Sequence, residues 1–381
     1  MKILYITPDI TNSGGIARVV SLKANYLVSV LDYEVCILTE NTAKSGFFYN
    51  FSSKIEWEIF ENSKNKLLFS WNYFRFIRKL ISNKKPDIII VCDAVMWVFI
   101  PWFVNIKTPI IFETHVSISL KKILDNGYFS AIRAKAVQFL KKITATKFDK
   151  FIFETEAGSK EWKINNSVVI SNPNSFVSQN LAALENKKAI AVCRHSYEKG
   201  IDRLLLIWKK VLENYPDWNL DIYGQWDSDL QYQKMAESLK ISKNVNFIAP
   251  TIEIQSRLKQ ASVFLMTSRS EAFGMVLIEA MDCGLPCIAY DCPIGPGQII
   301  ENNGNGFLIE DNNIDLFVEK VVLLIEDKNL RLELGKKANE SVRKYNVDEI
   351  MKKWNELFNK LLSIKNYNLS YTNSPADTNQ K

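Results

Sequence analysis

The stretch that decides the fold is "ASVFLMTSRSEAFGMVLIEAMDCG", residues 261–284. It divides into a short apolar run at 261–266, a polar loop at 267–273, and a longer apolar segment that ends before Gly284. A short apolar run is typical of a buried strand, and a glycine that follows a longer apolar segment is typical of a helix end. The stretch therefore predicts a strand, a loop and a helix that begins at Gly274.

The same alternation of strands and helices runs along the whole chain. In the first half, apolar runs predict strands near 2–7, 33–39, 87–92, 108–113, 150–153 and 167–170. A second series begins with KAIAVCR and continues with WNLDIYG, NVNFIA, ASVFLMT, LPCIAYD and NGFLIED. Strands that alternate with helices form parallel sheets covered on both faces. The chain is therefore predicted to be an α/β protein of two doubly wound domains that face a central cleft.

The boundaries of these domains follow from composition and length. A chain of 381 residues exceeds the usual size of a single core, so two domains are expected. We assign residues 1–170 to the first domain and residues 188–345 to the second. The polar segment at 171–187 is the predicted linker. A helix is predicted at 346–364, packing back on the first domain, and residues 365–381 are expected to be disordered.

The positive charge of the chain is concentrated in its first half. Residues 1–185 contain 23 Lys and Arg against 16 Asp and Glu, whereas the remainder contains 25 against 26. An anionic ligand or surface would therefore be attracted to the first half. The basic residues accompany no recognisable nucleic-acid-binding module, so nucleic acid is not an expected partner.

Two features of the sequence predict a cytoplasmic protein. The first apolar run ends at Pro8, which leaves no signal peptide, and the longest apolar stretch, at 94–104, is too short to span a bilayer. Six cysteines without paired spacing are typical of reduced thiols. A metal site at Cys283, Cys287 and Cys292 is not expected, because a second cluster of ligands is missing.

The start of the helix in the opening stretch has the features of an anion-binding site. The first N–H groups of a helix have no partner within it, so those of Gly274, Met275 and Val276 are free to bind a phosphate at the positive helix end. Glu271 and Glu279 lie eight residues, or roughly 12 Å, apart. This geometry suits a nucleotide-sugar, with one carboxylate for the hydroxyls at each end. The alternative is a core helix with Glu271 as a favourable first-turn acid.

The sequence SEAFGMVLIEAMDCGLPCIAYD resembles the signature of glycosyltransferase family 4, also called group 1, whose two glutamates are separated by seven residues. The resemblance continues through DCPIGPGQIIENNGNGFLIED and is dense in 188–311. It implies a GT-B fold of two Rossmann-like domains and retaining transfer from a nucleotide-sugar, with no metal and no further cofactor. By this match, Glu271 orients sugar hydroxyls and Glu279 contacts the ribose, while the amides after Phe273 steady the diphosphate.

A basic loop follows the first strand of the second domain. The sequence VCRHSYEKGIDRLL, residues 192–205, resembles the basic loop of the same family. The resemblance implies that Arg194 and Lys199 hold the donor diphosphate, where two fixed cations would stabilise the charge that develops on the leaving group. The alternative is surface charge before a helix. His195, in the same loop, is given no role.

A glycine-containing loop follows the first strand of the chain. In PDITNSGGIARVV, Gly14 and Gly15 would let a helix N-terminus approach the sugar phosphate, as the glycine loop of the family does. Arg18, in the same segment, is a candidate for an acceptor phosphate. A nicotinamide cofactor would need G-x-G-x-x-G directly after the strand, and this loop lacks that pattern.

A histidine follows the predicted strand at 108–113. His115, in PIIFETHVSIS, lies where the family has a histidine that faces the sugar across the cleft. The resemblance implies a hydrogen bond to a sugar hydroxyl and stabilisation near the anomeric carbon. The alternative is a structural histidine whose hydrogen bonds are satisfied within the protein.

Three features near the expected nucleotide site are less regular. The family often has a second glycine where this chain has Gly224-Gln225-Trp226, and its usual glycine after NVNFI is Ala249 here. Base contacts around Ile248–Thr251 are therefore left open. The sequence DSD at 227–229 resembles an acidic metal motif, but Asp and Ser are also good helix caps, and no metal is predicted.

Two basic and aromatic segments suggest contact with an anionic membrane. LLFSWNYFRFIRKLI, at 67–81, contains five aromatic residues together with Arg and Lys, and 120–147 adds a basic helical region. Such segments are typical of peripheral binding at a lipid surface. The alternative is a pair of core helices with solvated basic faces.

These observations together predict a retaining glycosyltransferase. We expect it to move a hexose or N-acetylhexosamine from a UDP-linked donor to a glycan acceptor, lipid-linked at the inner membrane face, in surface polysaccharide biosynthesis. The alternatives are a phosphorylase or epimerase on the same fold, and a non-catalytic partner subunit with this fold. The presence of Glu271, Glu279, Arg194 and Lys199 argues against the partner subunit.

Overall fold

The computed structural model describes residues 1–40, 46–61, 66–93, 97–104, 107–115, 139–226 and 228–372. Within these segments the chain forms two parallel sheets, one in each half. The N-terminal sheet has seven strands in the order β3-β2-β1-β4-β5-β6-β7. They are β1 Lys2–Ile6, β2 Glu34–Glu40, β3 Glu56–Phe60, β4 Ile88–Cys92, β5 Ile110–Glu113, β6 Lys150–Phe153 and β7 Ser167–Val169.

The C-terminal sheet has six strands in the order β10-β9-β8-β11-β12-β13. They are β8 Lys188–Val192, β9 Asn219–Tyr223, β10 Val245–Ile248, β11 Val263–Met266, β12 Cys287–Tyr290 and β13 Phe307–Ile309. Both sheets reverse their strand order beside the first strand, which is the switch point of a doubly wound fold. The predicted α/β architecture of two Rossmann-like domains is confirmed.

The strand β3 was missed by the sequence analysis. Its sequence is EWEIF, in which two glutamates interrupt the apolar residues, and only Phe60 is fully buried. β3 lies at the edge of its sheet and pairs only with β2. An edge strand of this kind is solvated along much of its length, so it lacks the continuous apolar run by which buried parallel strands were recognised.

Helices cover both faces of each sheet. They are α1 Gly15–Ser29, α2 Lys66–Lys84, α3 Ile100–Phe103, α4 Glu156–Trp162, α5 Ile201–Leu212, α6 Gln231–Ser238, α7 Ile254–Lys259, α8 Met275–Asp282, α9 Ile314–Glu326, α10 Lys328–Val342 and α11 Val347–Thr372. A further helical segment is described at 139–145.

Alternate residues of each strand enter separate cores. In β1, Leu4 and Ile6 join a cluster with α2, whereas Ile3 and Tyr5 join a cluster with α1 on the other face. Successive side chains of a strand point to opposite faces, so a strand covered on both sides must be apolar throughout. This requirement explains why the buried strands are continuous apolar runs.

The long C-terminal helix packs on the N-terminal domain. Trp354 and Phe358 of α11 are buried in the same cluster as Ala24 and Leu27 of α1. The helix continues to Thr372, eight residues beyond its predicted end at residue 364. Each residue added to an existing helix gains a backbone hydrogen bond, so a helix can extend past its packed region without an apolar pattern. The rest of the predicted tail, 373–381, lies outside the described residues.

The segment predicted as a linker lies along the C-terminal domain. The N–H of Asn174 donates to the carbonyl of Tyr345 at 2.7 Å, and the N–H of Ala182 donates to the carbonyl of Cys283 at 2.8 Å. Ser178 donates its N–H to Asp282 at 2.8 Å. These hydrogen bonds hold the linker segment against the C-terminal domain.

In the part of the chain that the structure describes, each helix is too short or too polar to cross a membrane.

Candidate active site

The two domains enclose a cleft of about 440 Å³. Its walls come from loops at the carboxyl ends of the strands, where ligands of doubly wound sheets bind. From the N-terminal domain they include Gly14, Gly15, Arg18, Tyr49, His115 and Glu154. From the C-terminal domain they include Arg194, Lys199, Glu271, Phe273, Gly274, Met275 and Val276. Ten of the eleven predicted site residues therefore line this cleft, and their roles there remain predictions.

The start of α8 forms one wall of the cleft. Gly274 precedes the helix with a φ of 103°, a left-handed conformation that favours glycine. Among the described residues, no hydrogen-bond partner is present for the N–H groups of Gly274, Met275 or Val276. The side chain of Phe273 is buried, so this residue offers mainly its backbone to the cleft. Free N–H groups at the positive end of a helix are suited to bind an anion.

A second loop fixes the backbone in front of this helix. The backbone of Glu271 pairs with that of Ile294 in a short parallel bridge. A side chain at Gly295 would place its Cβ 2.6 Å from the Cβ of Glu271 and 2.9 Å from the carbonyl of Phe273. Only glycine allows so close an approach, and the loop thereby holds Glu271 at the edge of the cleft.

Glu271 and Lys199 form an ion pair in the cleft wall. The Lys199 Nζ lies 2.8 Å from Glu271 Oε1, and Ser268 Oγ donates to the same oxygen at 2.6 Å. Burial alone would lower the pKa of Lys199, but the charge of Glu271 and its hydrogen bond raise it. The lysine is therefore a fixed cation at neutral pH, in the same cleft as the unpaired N–H groups of α8.

Arg194 also lines the cleft and is more exposed than Lys199. Its side chain is 65% exposed, and its one ion pair among the described residues joins Nη2 to Glu198 Oε1 at 3.3 Å. An exposed pair of this kind contributes little to stability. The guanidinium can therefore be redirected to an anion in the cleft at little cost.

Glu279 is the predicted site residue that does not reach the cleft wall. Its side chain is fully buried, and Oε1 accepts from Arg18 Nη2 at 2.9 Å and from Ser175 Oγ at 2.6 Å. Oε2 has no partner among the described residues. Burial raises the pKa of Glu279, and the charge of Arg18 opposes this effect. Arg18 reaches across from α1 and pairs with this carboxylate, and the ribose contact of Glu279 stays a prediction.

The glycine loop of the first domain also borders the cleft. Gly14 precedes α1, and its N–H donates to Asn12 Oδ1 at 2.7 Å. A Cβ at Gly14 would lie 2.6 Å from the same oxygen, whereas a Cβ at Gly15 would meet open space. The loop therefore brings the first turn of α1 to the cleft without a side chain in the way, and Gly15 is the glycine that faces free volume.

His115 sits at the end of β5 among acidic side chains. Its Nδ1 is 2.6 Å from Glu154 Oε1, and its Nε2 is 3.6 Å from Glu113 Oε1. Burial would lower the pKa of His115, but Glu113 and Glu154 raise it, to about 9. Among the described residues, Nε2 has no hydrogen-bond partner. The expectation of a fully satisfied structural histidine is therefore not met on one of the two ring nitrogens.

A metal is not suggested by the cluster of Cys92, Glu113 and His115, although their ligand atoms lie within 4.8 Å of one another. Both carboxylate oxygens of Glu113 already accept from Lys23, each at 2.5 Å. Burial raises the pKa of the Cys92 thiol well above its usual value, so that thiol is protonated. Two of the three potential metal ligands are therefore already occupied: the Cys92 thiol holds its proton, and the Glu113 carboxylate is bound to Lys23.

The loops that follow β9 and β10 border the same cleft. Gly224, Gln225, Pro250 and Thr251 line it, on the side away from His115. A Cβ at Gly224 would lie 1.8 Å from the carbonyl of Cys193, so this position requires glycine. In the DSD sequence, Asp227 lies outside the described residues. The departures from the family pattern, Trp226 and Ala249, are therefore each next in sequence to a residue of the cleft wall, Gln225 and Pro250.

The family follows from comparison with known proteins. Residues 174–341 match the family described as glycosyl transferases group 1. A glycosyltransferase of Haemophilus influenzae, named as uncharacterized, is 32% identical over 365 residues, which cover 93% of this chain and 98% of that protein. The chain belongs to the group 1 glycosyltransferases.

Two further relatives of this glycosyltransferase add to its context. The amylovoran biosynthesis glycosyltransferase AmsD of Erwinia amylovora is 28% identical, covering 94% of this chain and 99% of that protein. A mutant of TarM from S. aureus, solved with fondaparinux, alpha-GlcNAc-glycerol and UDP, has a TM-score of 0.77 at 18% identity. The alignment with TarM covers 94% of this chain and 99% of that structure, and it shows the GT-B fold.

Sequence reasoning missed three cleft residues of this glycosyltransferase. Glu154, Asn172 and Tyr49 line the cleft but were not singled out. Glu154 directly follows β6, as His115 follows β5 by one residue more, so the rule that ligands bind at the carboxyl ends of strands could have found it. Asn172 lay in a segment predicted as a linker, and Tyr49 lies in a connection without a clear pattern.

Proposed function

We propose that this glycosyltransferase moves a hexose or N-acetylhexosamine from a UDP-linked donor to a glycan acceptor, with retention at the anomeric carbon. The observation that carries the proposal is that one cleft is lined both by three N–H groups at the start of α8 without partners among the described residues and by the Lys199–Glu271 pair. A nucleoside diphosphate needs such a combination of amides and cations. The similarity to TarM, solved with UDP, supports uridine as the base.

The diphosphate would be held at the N-terminus of α8. The N–H groups of Gly274, Met275 and Val276 supply hydrogen bonds, and Lys199 supplies a half-buried cation. Arg194 adds a second cation, because its exposed pair with Glu198 is easily exchanged for a phosphate. As the sugar departs, negative charge grows on the diphosphate, and these fixed groups stabilise it without reorganisation.

Glu271 would orient the sugar. Its Oε1 already accepts from Lys199 and Ser268, which leaves Oε2 to accept from a sugar hydroxyl. A carboxylate accepts hydrogen bonds only, so it aligns a donor sugar by its hydroxyls. His115 faces this position from the N-terminal domain, where Nε2 lacks a partner among the described residues.

The transfer step follows from retention. The acceptor hydroxyl attacks the anomeric carbon from the face that the diphosphate leaves, so that the new glycosidic bond forms as the bond to the phosphate oxygen breaks. The acceptor proton passes to the departing diphosphate. The role of the protein is to hold both reactants in this geometry and to stabilise the leaving charge.

The acceptor is proposed to be lipid-linked and presented at an anionic membrane face. Trp71 of α2 is 67% exposed and Trp102 of α3 is 53% exposed. They belong to a joined surface, because Phe74 of α2 stacks on Phe103 of α3 at 4.6 Å, and Trp102 donates to Thr144 at 3.3 Å. Aromatic residues on a basic surface suit peripheral lipid binding.

The same surface corrects part of the sequence reasoning. In α2, Tyr73, Phe74 and Ile77 are buried in the core, whereas Trp71 and Arg75 are exposed. Two of the aromatic side chains of 67–81, Tyr73 and Phe74, are therefore part of the hydrophobic core, in agreement with the alternative interpretation of a core helix. Residues 120–138 of the second predicted segment lie outside the described residues. The membrane proposal accordingly depends on Trp71, Trp102 and the helical segment at 139–145, whose Phe139 is 68% exposed.

A donor panel tests the proposed function. The full chain would be mixed with a series of UDP- and GDP-sugars, and thermal unfolding and released nucleotide would be followed together. We expect one UDP-sugar to raise the Tm by a few degrees, since a ligand at about 100 times its Kd stabilises by about 2.7 kcal/mol. We also expect slow release of UDP by the isolated chain. Protection by GDP-sugars alone would refute the choice of base.

The alternatives predict different products. A phosphorylase would form a sugar phosphate when inorganic phosphate is supplied with a glycan, and a partner subunit would release no nucleotide from any donor. Membrane contact is tested by sedimentation with anionic liposomes at low salt, where we expect the protein in the pellet. Equal recovery in the supernatant, with and without lipid, would remove that part of the proposal.

A further inference from the structure

Three acidic side chains surround the imidazole of His115. They come from the ends of adjacent strands: Asp93 follows β4, Glu113 ends β5 and Glu154 follows β6. Glu154 Oε1 lies 2.6 Å from His115 Nδ1, and Asp93 Oδ2 accepts from the backbone N–H of His115 at 2.5 Å. Glu113 Oε1 is 3.6 Å from Nε2, too far for a hydrogen bond. Among the described residues, Glu154 is therefore the one carboxylate that bonds to the ring.

Glu113 is already committed to another cation. Both of its oxygens accept from Lys23 at 2.5 Å, and Lys23 is fully buried, with Nζ 3.8 Å from the centre of the Trp354 ring. The lysine therefore occupies both oxygens of the Glu113 carboxylate. As a result, Nε2 of His115, a residue that lines the cleft, is buried without a hydrogen-bond partner among the described residues.

Glu154 is itself held in place by the linker. Asn172 Nδ2 donates to Glu154 Oε1 at 2.5 Å, and Ser171 Oγ donates to the carbonyl of Glu154 at 3.0 Å. The side chain of Glu154 is 6% exposed. A carboxylate fixed by the linker and in contact with Nδ1 sets both the orientation and the protonation of the ring, as the outer carboxylate does for a catalytic histidine elsewhere.

We propose that Glu154 is a positioning residue for transfer: it holds His115 in the protonated form and leaves the Nε2–H to donate to the donor sugar or to the departing diphosphate. This inference rests on the proposed function. It excludes His115 as the base that accepts the acceptor proton, because an imidazolium has no free lone pair. The proton must then leave with the diphosphate, in agreement with the transfer step proposed above.

The charges around the ring agree with this assignment. Burial raises the pKa of Asp93 to about 6, so it is ionised at neutral pH, as is Glu113, whose pKa is lowered by Lys23 against the effect of burial. The Cys92 thiol remains neutral. The titratable and charged groups that face the ring or its acidic neighbours are Asp93, Glu113, Glu154, Lys23, Lys141, Cys92 and Tyr5. Negative charges exceed positive ones around His115, which favours the imidazolium.

The first test is the protonation of His115 in the free protein. The chain contains two histidines, His115 and His195, and burial lowers the pKa of His195 to about 4. The ring nitrogens of labelled full-length protein can therefore be followed by NMR from pH 6 to 10, with a His195→Phe variant to assign the signals. We expect one histidine to titrate near pH 9. A neutral His115 ring at pH 7.5 would overturn the proposal, with no donor or acceptor needed.

The second test compares Glu154→Gln with Glu156→Gln. Glu156 is an exposed acid two residues away, at the start of α4, so its variant controls for charge. In Glu154→Gln we expect the His115 titration and the alkaline limb of kcat/KM to move down together by about one pH unit or more. We expect no shift of either in Glu156→Gln.

The outcomes separate the inference from the proposed function. An unchanged His115 titration in Glu154→Gln would refute the positioning role, whatever the activity. A titration that moves while the alkaline limb of kcat/KM stays fixed would show that the protonation of His115 is not used in transfer, and would refute the role as well. A chain that releases no nucleotide from any donor would refute the proposed function, and the NMR result would still report the ring.

Discussion

The ion pair between Arg18 and Glu279 joins the two domains. The loss of folding stability when it is removed should depend strongly on pH. Arg18 Nη2 lies 2.9 Å from the Glu279 carboxylate, which is completely buried. Arg18→Met removes the guanidinium and retains much of the aliphatic stem. The carboxylate is then left with the Ser175 hydroxyl as its only partner among the described residues. Breaking a buried ion pair in this way costs about 3–5 kcal/mol when the remaining charge cannot be neutralised.

Protonation of Glu279 limits this loss of stability, and it makes the loss smaller at low pH than at high pH. The pKa of Glu279 is already raised by burial, and the loss of Arg18 raises it further. An acid whose folded pKa is raised destabilises the folded state above its unfolded pKa of about 4.3, by about 1.4 kcal/mol for each pH unit until the folded pKa is passed. We therefore expect Arg18→Met to cost about 1 kcal/mol or less at pH 5 and about 3 kcal/mol or more at pH 8.

Thermal unfolding of the variants at both pH values measures the effect. A second substitution, Glu279→Gln, removes the stranded charge and should restore most of the loss at pH 8. Arg257→Met is a matched control, because Arg257 pairs with Glu253 at 3.5 Å on the surface, and we expect a loss below about 0.5 kcal/mol. An equal loss at pH 5 and pH 8, or a double variant no more stable than Arg18→Met, would refute the reasoning.

Three other predictions concern single residues. Glu271→Ala should reduce kcat by about a hundredfold or more with the fold intact, because the sugar hydroxyl loses the carboxylate that accepts its hydrogen bond. Wild-type turnover, measured by released nucleotide, would contradict this. His115 should add up to about 3 kcal/mol of stability below pH 6.5, and this is lost as the pH rises through its folded pKa of about 9. The Tm of wild type should therefore fall between pH 7 and 9.5 more steeply than that of His115→Gln, and parallel curves would argue against the raised pKa. His195→Phe should raise the Tm by a few degrees, because both ring nitrogens are buried without partners among the described residues, and an unpaired buried polar group costs about 1–3 kcal/mol; a lower Tm would indicate an unseen partner.

The sequence predicted most of the fold because the physical signal is local. All six strands of the second sheet fall within the predicted apolar runs: the four inner strands are covered on both faces and must be mostly apolar, and the edge strands β10 and β13 also contain mostly apolar residues. The edge strand β3 was missed because exposure to solvent removes that signal. The end of α11 was misplaced because backbone hydrogen bonds can extend a helix beyond the segment that an apolar pattern marks in the sequence.

The site was predictable as a set of loops but not as a set of contacts. Glu271, Arg194 and Lys199 were found because each follows the carboxyl end of a strand, which is a feature of the local sequence. The pairing of Lys199 with Glu271 joins residues 72 positions apart and depends on how the loops pack.

Glu279 illustrates the limit more clearly. It was assigned to the ribose from its spacing within the stretch, but Arg18, from the other domain, occupies its carboxylate. No pattern within either segment could reveal that contact, because it arises from the packing of one domain against the other. Only the structure shows which side chains of the two domains contact each other across the cleft.

Calorimetric titration of UDP into the full chain tests the central claim, that amides and cations at the start of α8 clasp a diphosphate. We predict one UDP per chain, with binding weakened by about 10- to 100-fold in Lys199→Met, since a charge-assisted hydrogen bond contributes about 1.5–3 kcal/mol. Lys210→Met, at a surface ion pair with Asp315, should bind UDP as wild type does. Equal affinity in the wild type and Lys199→Met, or no binding by the wild type, would contradict the account.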